Sequence, residues 1–151
     1  MLAVERTLII LKPDAVIRGH MGDIIQRFEQ KSYRFVGMKL IQFTKEIAEK
    51  HYREHIGKPF FESLISYISM SPVLIAVVEG EDAISVTRKM AGATHPLKSE
   101  PGSIRGDFGF VKNDNMYNAI HASDSQESAE REIGIYFGPE ELYSYDDKKV
   151  L

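Results

Sequence analysis

Residues 118–133 read NAIHASDSQESAEREI, a short apolar stretch followed by small polar residues and then a charged, helix-forming run. The apolar stretch predicts a last strand from Tyr117 to His121. Ser123, followed three residues later by Gln126, matches a capping box, which predicts that a helix begins there. A strand that ends in a histidine next to a helix start places a titratable ring at an element boundary, where functional groups often lie.

On either side of this stretch, apolar runs and breaker residues predict alternating strands and helices. Three further strands are expected over Thr7–Leu11, Tyr33–Phe43 and Pro72–Val78. Helical spacing of apolar residues, broken by glycine and proline, predicts helices through 24–28, from Thr44 towards Ile56, over 60–68 and over 84–91, with a turn over 79–82. We expect one domain over 1–151.

Composition excludes several classes of protein. At 151 residues the chain is long enough for one domain with a core of its own. It has no cysteine, which excludes disulfides and thiolate metal sites. Glu5 and Arg6 precede only a short apolar run, which favours a buried strand over a signal peptide or membrane span and predicts a soluble, cytoplasmic protein. A net charge of −3 predicts no general attraction to nucleic acid or anionic membrane, so any anion site is expected to be local.

Residues 92–115 show no sustained period and contain many glycines, prolines and charges. A run of this length within a compact domain is usually disordered or functional, and the pattern alone leaves both open. Thr94 and Arg105 lie in it, and Arg88 directly precedes it. The chain has no glycine-rich phosphate loop, so if phosphates bind, the candidates are Lys12, Arg88 and Arg105, although each alone is more often a solvated surface charge.

His121 is either a structural histidine at a strand end or a nucleophile. Small residues share one face of the following helix with Glu132, so that face can pack along the preceding strand and bring the carboxylate to His121. A carboxylate at one ring nitrogen keeps that nitrogen protonated and leaves the other free to attack. Ala122 and Ser123 are small, and the helix start beside them offers amide donors, so a phosphate has room to approach.

Two other patterns also have a functional and a structural interpretation. His51 and His55 have the i, i+4 spacing that can offer two imidazoles to zinc, but the order of the metalloprotease motif is absent and no third ligand is evident. We therefore do not expect a metal at this pair. Phe60, in KPFF (58–61), belongs either to the core or to an exposed surface where its ring can stack on a base.

Taken together, the motifs resemble those of the nucleoside diphosphate kinases. NAIHASD (118–124) is similar to the active-site signature of that family. The similarity covers nearly the whole chain through KPDAV (12–16), RGHMG (18–22), RFE (27–29), KPFF (58–61), RKMAGATHP (88–96), PGSIRGDF (101–108) and ESAEREI (127–133). The resemblance implies an α/β (α+β) fold, a ferredoxin-like sandwich in which helices cover a four-stranded antiparallel sheet.

The resemblance also implies an activity. The γ-phosphate of a nucleoside triphosphate, mainly ATP, would pass to a nucleoside diphosphate by a ping-pong mechanism through a phosphohistidine on His121, which maintains nucleotide pools. Glu132 would orient His121, Ser123 would lie beside it, and Lys12 would also be catalytic. Mg²⁺ would be carried mainly on the nucleotide's phosphates, with Asp124 touching it through water. The nucleotide-binding residues would be Lys12, Tyr52, Phe60, Leu64, Arg88, Thr94, Arg105 and Asn118.

The implied partners are nucleotides and further copies of the chain. Substrates would include ATP, GTP, ADP and GDP, with no membrane and no specific nucleic acid as partner. A homo-oligomer is expected, a hexamer first and a tetramer second. The connection from Arg105 to His121 is a few residues longer than in the family pattern, with the excess within 111–117, so the family's contact to the second face of the base is not expected to carry over unchanged.

Two alternatives from other classes stay open on the sequence. One is a phosphohistidine carrier that accepts phosphate from a partner protein. The other is a non-catalytic ferredoxin-like module that binds nucleotide or RNA. An RNA-binding sheet predicts exposed aromatic residues in an RNP-like order and a basic face, and the sequence contains neither.

Overall fold

The computed structural model describes residues 4–145, which form two sheets with helices packed around the larger one. The larger sheet has four antiparallel strands, β1 (Val4–Leu11), β2 (Arg34–Ile41), β3 (Val73–Glu81) and β6 (Ile120–Ala122). Their order across the sheet is β2-β3-β1-β6. A separate hairpin consists of β4 (Phe110–Lys112) and β5 (Asn115–Tyr117). The α-helices are α1 (Pro13–Ile17), α2 (Met21–Gln30), α3 (Lys45–His51), α4 (Phe61–Ile68), α5 (Ala83–Ala91), α6 (Ile104–Phe108) and α7 (Gln126–Tyr136), with short 3-10 turns at Arg53–His55, Pro96–Lys98 and Pro139–Glu141.

Strand β1 is buried on both faces. Ile9 and Leu11 pack in one core with residues of α2 and α5, whereas Leu8 and Ile10 pack in a second core with residues of α3, α4 and α7. Successive strand residues point to opposite faces, so one apolar run supplies both cores. The expected α+β sandwich, with helices over a four-stranded antiparallel sheet, is confirmed.

The structure corrects the predicted end of β3 and shows a short helix directly after β1. The turn predicted over 79–82 is wrong, because β3 continues to Glu81, which pairs with Val4. The chain turns instead at Asp82, whose φ of 47° is left-handed. Directly after β1, α1 begins at Pro13, where a proline is tolerated because the first helical N–H needs no partner.

Of the two predicted helix N-caps, one is present in the structure and the other is not. Thr44 caps α3 as predicted, since its Oγ1 accepts a hydrogen bond from Ile47 N at 3.2 Å, but α3 ends at His51 rather than near Ile56. The cap predicted for α7 is wrong. Ser125, not Ser123, occupies that position, and its Oγ accepts from Ser128 N at 3.0 Å.

Residues 92–115 are ordered around short elements, so the disorder interpretation is wrong. The lengthened segment forms the β4–β5 hairpin. Asn113 (φ 52°) and Asp114 (φ 61°) form its two-residue loop. Two consecutive left-handed residues are the mark of a type I′ turn, whose twist matches that of the flanking strands. The predicted last strand is also shorter than expected, because it begins at Ile120 and Tyr117 belongs to the hairpin.

Within residues 4–145, no helix has both the length and the apolar character that crossing a bilayer requires.

Candidate active site

His121 lies on the edge strand β6, paired opposite Ile10 of β1. Helix α7 packs against β1, and the small Ala129 of this helix is buried. As the spacing predicts, the carboxylate of Glu132 then reaches the histidine, with 2.6 Å between Glu132 Oε1 and His121 Nε2. Ser123, which does not cap the helix, donates its hydroxyl hydrogen to the same Oε1 at 2.9 Å.

The contact with Glu132 selects one tautomer of the His121 ring. A neutral imidazole has one N–H and one bare nitrogen, and the N–H belongs at the nitrogen that faces a carboxylate. Nε2 therefore donates to Glu132, and Nδ1 keeps its lone pair. Because His121 is partly exposed while Glu132 is buried, Nδ1 is the atom able to attack an incoming group.

His51 lies against the other side of this ring, a position that sequence reasoning missed. The two imidazoles pack edge to face with centroids 4.7 Å apart. Burial, and then the neighbouring charges, of which His121 is the largest, lower the pKa of His51 to about 2, so its ring is neutral. Burial raises the pKa of the Tyr136 hydroxyl, which lies 2.8 Å from His51 Nδ1 and donates to it. His51 is therefore an uncharged ring, held by Tyr136, that packs against His121.

His51 and His55 contact different partners, although they have i, i+4 spacing. His55 Nδ1 lies 3.4 Å from Lys58 Nζ, while His51 points to Tyr136 and His121. His51, His121 and Glu132 do have potential ligand atoms within 4.8 Å of one another. However, the latter two are already hydrogen-bonded to each other.

Three cations contact residues on either side of His121. Arg105 is buried and donates to Ile120 O at 2.8 Å and to Gly92 O at 3.0 Å. The exposed Arg88 donates to Ala122 O at 3.1 Å, on the other side of the histidine. Their charges affect each other, since burial and then the charge of Arg88 lower the pKa of Arg105 to about 10. Like charges held close together by the backbone create a field that favours an anion.

Lys12, the third cation, lies directly after β1 and donates from Nζ to Asn118 Oδ1 at 2.7 Å. Asn118 is buried and donates in turn to Thr94 O at 3.1 Å. Burial, and then the charge of Arg105, lower the pKa of Lys12 to about 8. Lys12 therefore titrates within reach of ordinary assay pH.

Two aromatic candidates take different positions. Phe60 is 46% exposed, so the core interpretation of this ring is wrong, and its ring lies 5.2 Å from that of His55. Tyr52 packs edge to face on His51 with centroids 4.8 Å apart. Burial, and then the charge of Glu132, raise the pKa of Tyr52 to about 12, so its hydroxyl stays protonated and can donate.

A groove of about 520 Å³ runs between α4 and the β4–β5 hairpin, with Lys12 and Asn118 among its lining residues. Leu64 lines the helical wall, and Asn115 and Met116 line the hairpin wall. This volume is in the range of small-molecule sites. The family resemblance implied Leu64, but nothing in the sequence predicted the hairpin, because three-residue strands are too short to show a period.

Comparison with known proteins identifies the family of this chain. The family model described as nucleoside diphosphate kinase matches residues 5–142. The chain belongs to the nucleoside diphosphate kinase family. A nucleoside diphosphate kinase of Thermococcus kodakarensis is 65% identical over 142 residues, which are 94% of this chain and 82% of that one. The corresponding Pyrococcus furiosus protein is 63% identical over 142 residues, covering 94% and 88% of the two chains.

Solved nucleoside diphosphate kinases have the same fold. The Borrelia burgdorferi enzyme, described as a transition-state mimic with bound vanadate and ADP, is 39% identical, with a TM-score of 0.89 over 97% of this chain and 95% of that one. The Halobacterium salinarum enzyme in complex with CDP is 43% identical, with a TM-score of 0.89 over 97% of each chain. The protein is therefore an enzyme with nucleoside diphosphate kinase activity, and neither the carrier nor the RNA-binding alternative is favoured.

Proposed function

We propose that this kinase passes the γ-phosphate of a nucleoside triphosphate, mainly ATP, to nucleoside diphosphates through a phosphohistidine at Nδ1 of His121. The observation that carries the proposal is the 2.6 Å contact between His121 Nε2 and Glu132, which leaves Nδ1 bare. Lys12, Arg88 and Arg105 supply the positive field in which a phosphoryl group can be transferred. The donor triphosphate and the acceptor diphosphate bind the same site in turn, which gives ping-pong kinetics. Transfer between different nucleotides keeps the nucleotide pools balanced.

In the first half-reaction the Nδ1 lone pair forms a bond to the γ-phosphorus, and the bond from that phosphorus to the β,γ-bridging oxygen breaks. The diphosphate leaves with the electrons of that bond. The proton on Nε2 stays in its hydrogen bond to Glu132, which stabilises the positive charge that the ring gains, and Ser123 steadies the same carboxylate oxygen. In the second half-reaction a terminal oxygen of the acceptor diphosphate attacks the phosphohistidine, and Nδ1 recovers its lone pair.

We place the nucleotide along the α4 groove. The base stacks on exposed Phe60 and contacts Leu64, and because every base has a π-face, base selectivity is low. The ribose 3′-hydroxyl meets Lys12 and Asn118. The phosphates reach towards His121, where their partners are Lys12, Tyr52, Arg88, Thr94 and Arg105. The ADP and CDP described for the Borrelia and Halobacterium enzymes support a site that tolerates different bases.

We propose Mg²⁺ as the divalent metal. When bound, it would neutralise charge on the phosphates as the γ-phosphoryl group moves. Asp124 is the residue that would touch it through water. A hydrogen bond from Ser128, and then Ser125 and the charge of Arg88, lower the pKa of Asp124, so the mouth of the site offers an ionised oxygen ligand of the type Mg²⁺ prefers. A single carboxylate suits a metal carried on the substrate.

We further propose a cytoplasmic homo-oligomer, a hexamer first and a tetramer second, with the kinase domain spanning 1–151. Residues 1–3 and 146–151 lie outside the described residues. Strand β2 is an edge of the main sheet, and it exposes Met38 (44%) and Leu40 (59%). An edge strand with exposed apolar side chains is a surface that a second copy can cover. Light scattering coupled to gel filtration measures the assembly directly.

The direct test of the function uses γ-labelled ATP and Mg²⁺ without an acceptor. We expect the protein to take up label that is acid-labile and base-stable, the behaviour of a phosphorus–nitrogen bond. Any added nucleoside diphosphate should discharge the label as a triphosphate. A carrier would hold its label in the presence of diphosphates, and an RNA-binding module would take up none.

The pKa of Lys12 predicts how activity depends on pH. Lys12 is charged below about pH 8 and neutral above it, so its attraction for phosphate is lost as the pH rises through about 8. We expect kcat/KM, which reports the free enzyme, to fall by about tenfold between neutral and strongly alkaline pH. Lys12→Arg keeps its charge across this range and should flatten the profile. If kcat/KM of Lys12→Arg fell with rising pH as it does in the wild type, the titrating group would not be Lys12.

Glu132→Gln tests the orienting role of the carboxylate. The amide keeps the shape but cannot accept from His121 as strongly, so we expect phosphohistidine formation to slow by roughly tenfold while nucleotide affinity changes little. Single-turnover quench-flow measures the rate, and calorimetry measures the affinity. Glu130→Gln, an exposed change on the same helix, is the control. If the single-turnover rate of Glu132→Gln equals that of the wild type, Glu132 has no part in the chemistry.

A further inference from the structure

A strained turn immediately precedes the candidate nucleophile. Ile120 N donates to Asn118 O at 2.7 Å, which closes a three-residue γ-turn around Ala119. Ala119 has φ 68°, a left-handed value that an alanine adopts only when its surroundings impose it. The γ-turn with a positive central φ is the rare, strained form. Contacts outside the turn must therefore hold it in place.

Asp14, a buried acid for which the proposed mechanism has no use, makes that contact. It is 4% exposed and belongs to α1, the short helix that follows Lys12. Its Oδ2 accepts the Ala119 N–H at 3.1 Å, and its Oδ1 accepts the Tyr67 hydroxyl of α4. Burial, and then the charge of Asp14, raise the pKa of Tyr67, so that hydroxyl is protonated and donates. One carboxylate thus ties α1, α4 and the turn together.

Each residue of the turn accepts a hydrogen bond from Lys12 or Arg105. Asn118 accepts from Lys12 Nζ at 2.7 Å. Ala119 O accepts from Lys12 N at 2.8 Å, which fixes the start of that side chain as well as its end. Ile120 O accepts from Arg105 at 2.8 Å. A turn that relaxed to ordinary backbone angles would reorient all of these partners just before His121.

We propose that Asp14, supported by Tyr67, is a positioning residue that holds the Asn118–Ile120 turn and thereby aims Asn118 and Lys12 at the ribose 3′-hydroxyl. This inference rests on the proposed function, since it assigns the turn a role towards the nucleotide. Asp14 itself does not touch the nucleotide. Its effect on catalysis passes through the conformation of Ala119.

Asp14→Ala removes both hydrogen bonds and tests the proposal by a change in sugar preference. We expect kcat/KM to fall at least about tenfold for nucleoside diphosphates that carry a 3′-hydroxyl, and much less for their 2′,3′-dideoxy counterparts. General loosening of the fold would lower both equally. Asp23→Ala, which removes an exposed carboxylate of α2, is the control and should leave both values unchanged.

Ala119→Gly provides the decisive second change. Glycine reaches a left-handed φ without strain, so the turn should hold with less help from Asp14. The double variant Asp14→Ala/Ala119→Gly should recover most of the lost preference for the 3′-hydroxyl. Failure of glycine to restore it, or an equal loss with both sugars, would overturn the proposal.

Tyr67→Phe keeps the test decisive if Asp14→Ala does not fold. This change removes one hydroxyl and leaves Asp14 to hold Ala119 alone, so a smaller shift of the same kind, about threefold, is expected in the ratio of the two kcat/KM values. An unchanged ratio would contradict the proposal. A failure of the proposed function itself would look different. In that case even the wild-type protein would take up no label from γ-labelled ATP.

Discussion

His121→Ala is expected to abolish phosphoenzyme formation and to lower nucleoside diphosphate kinase activity by at least about 10⁴-fold. The variant lacks the Nδ1 lone pair that receives the phosphoryl group in the proposed mechanism, and the neighbouring imidazole is not placed to replace it. His51, the ring beside it, is buried, neutral and hydrogen-bonded to Tyr136. Direct transfer from donor to acceptor would need both nucleotides in a single groove.

The measurement is γ-label incorporation without acceptor, followed by turnover with a diphosphate acceptor. His20→Ala is a matched control, because His20 packs on Phe108 with centroids 4.7 Å apart and has no role in the proposed site. We expect that control to take up label as the wild type does. Label that persisted in His121→Ala would place the nucleophile elsewhere and end the mechanism proposed here.

Arg88→Met should slow phosphohistidine formation by about 10²- to 10³-fold, the usual effect of removing one preorganised charge from a transferring group. Arg88 is exposed, and its contact in this structure is one hydrogen bond to Ala122 O at 3.1 Å. Methionine keeps much of the aliphatic stem, so the free energy of unfolding should change by no more than about 0.5 kcal/mol. The loss is therefore expected in chemistry and not in stability.

Single-turnover phosphorylation and thermal unfolding, measured on the same preparations, separate these two effects. Lys89→Met, the neighbouring exposed cation, removes the same charge from outside the site and should behave as the wild type. A rate within about threefold of the wild type in Arg88→Met would mean that this guanidinium does not act on the γ-phosphate.

The sequence predicted most accurately where one local pattern decides the structure. The small face of α7 was enough to predict that Glu132 meets His121, because helical spacing fixes which side chains share a face. The capping-box pattern selected Ser123 as the cap of α7, whereas Ser125 occupies that position. The choice depends on tertiary structure, since buried Glu132 draws the Ser123 hydroxyl away and leaves Ser125 to cap the helix.

Other features were beyond local pattern. The sequence named Lys12, Arg88 and Arg105 as phosphate candidates, but no local pattern showed that they converge, because they belong to separate elements of the fold. Ala119 gives no sign of its left-handed φ, because that angle usually marks glycine or asparagine. The hairpin loop carries Asn113 and Asp114 rather than a glycine pair, so its turn type also escaped prediction.

Strand β1 supplies both cores and ends at the residue before Lys12. The middle of a sheet is the part of a protein that opens last, usually only when the whole molecule unfolds. Lys12, which we propose as a phosphate ligand, is therefore expected to be anchored beside one of the most slowly exchanging segments among residues 4–145. Partial melting at the periphery would leave it in place, so heat should remove structure and activity in the same cooperative transition.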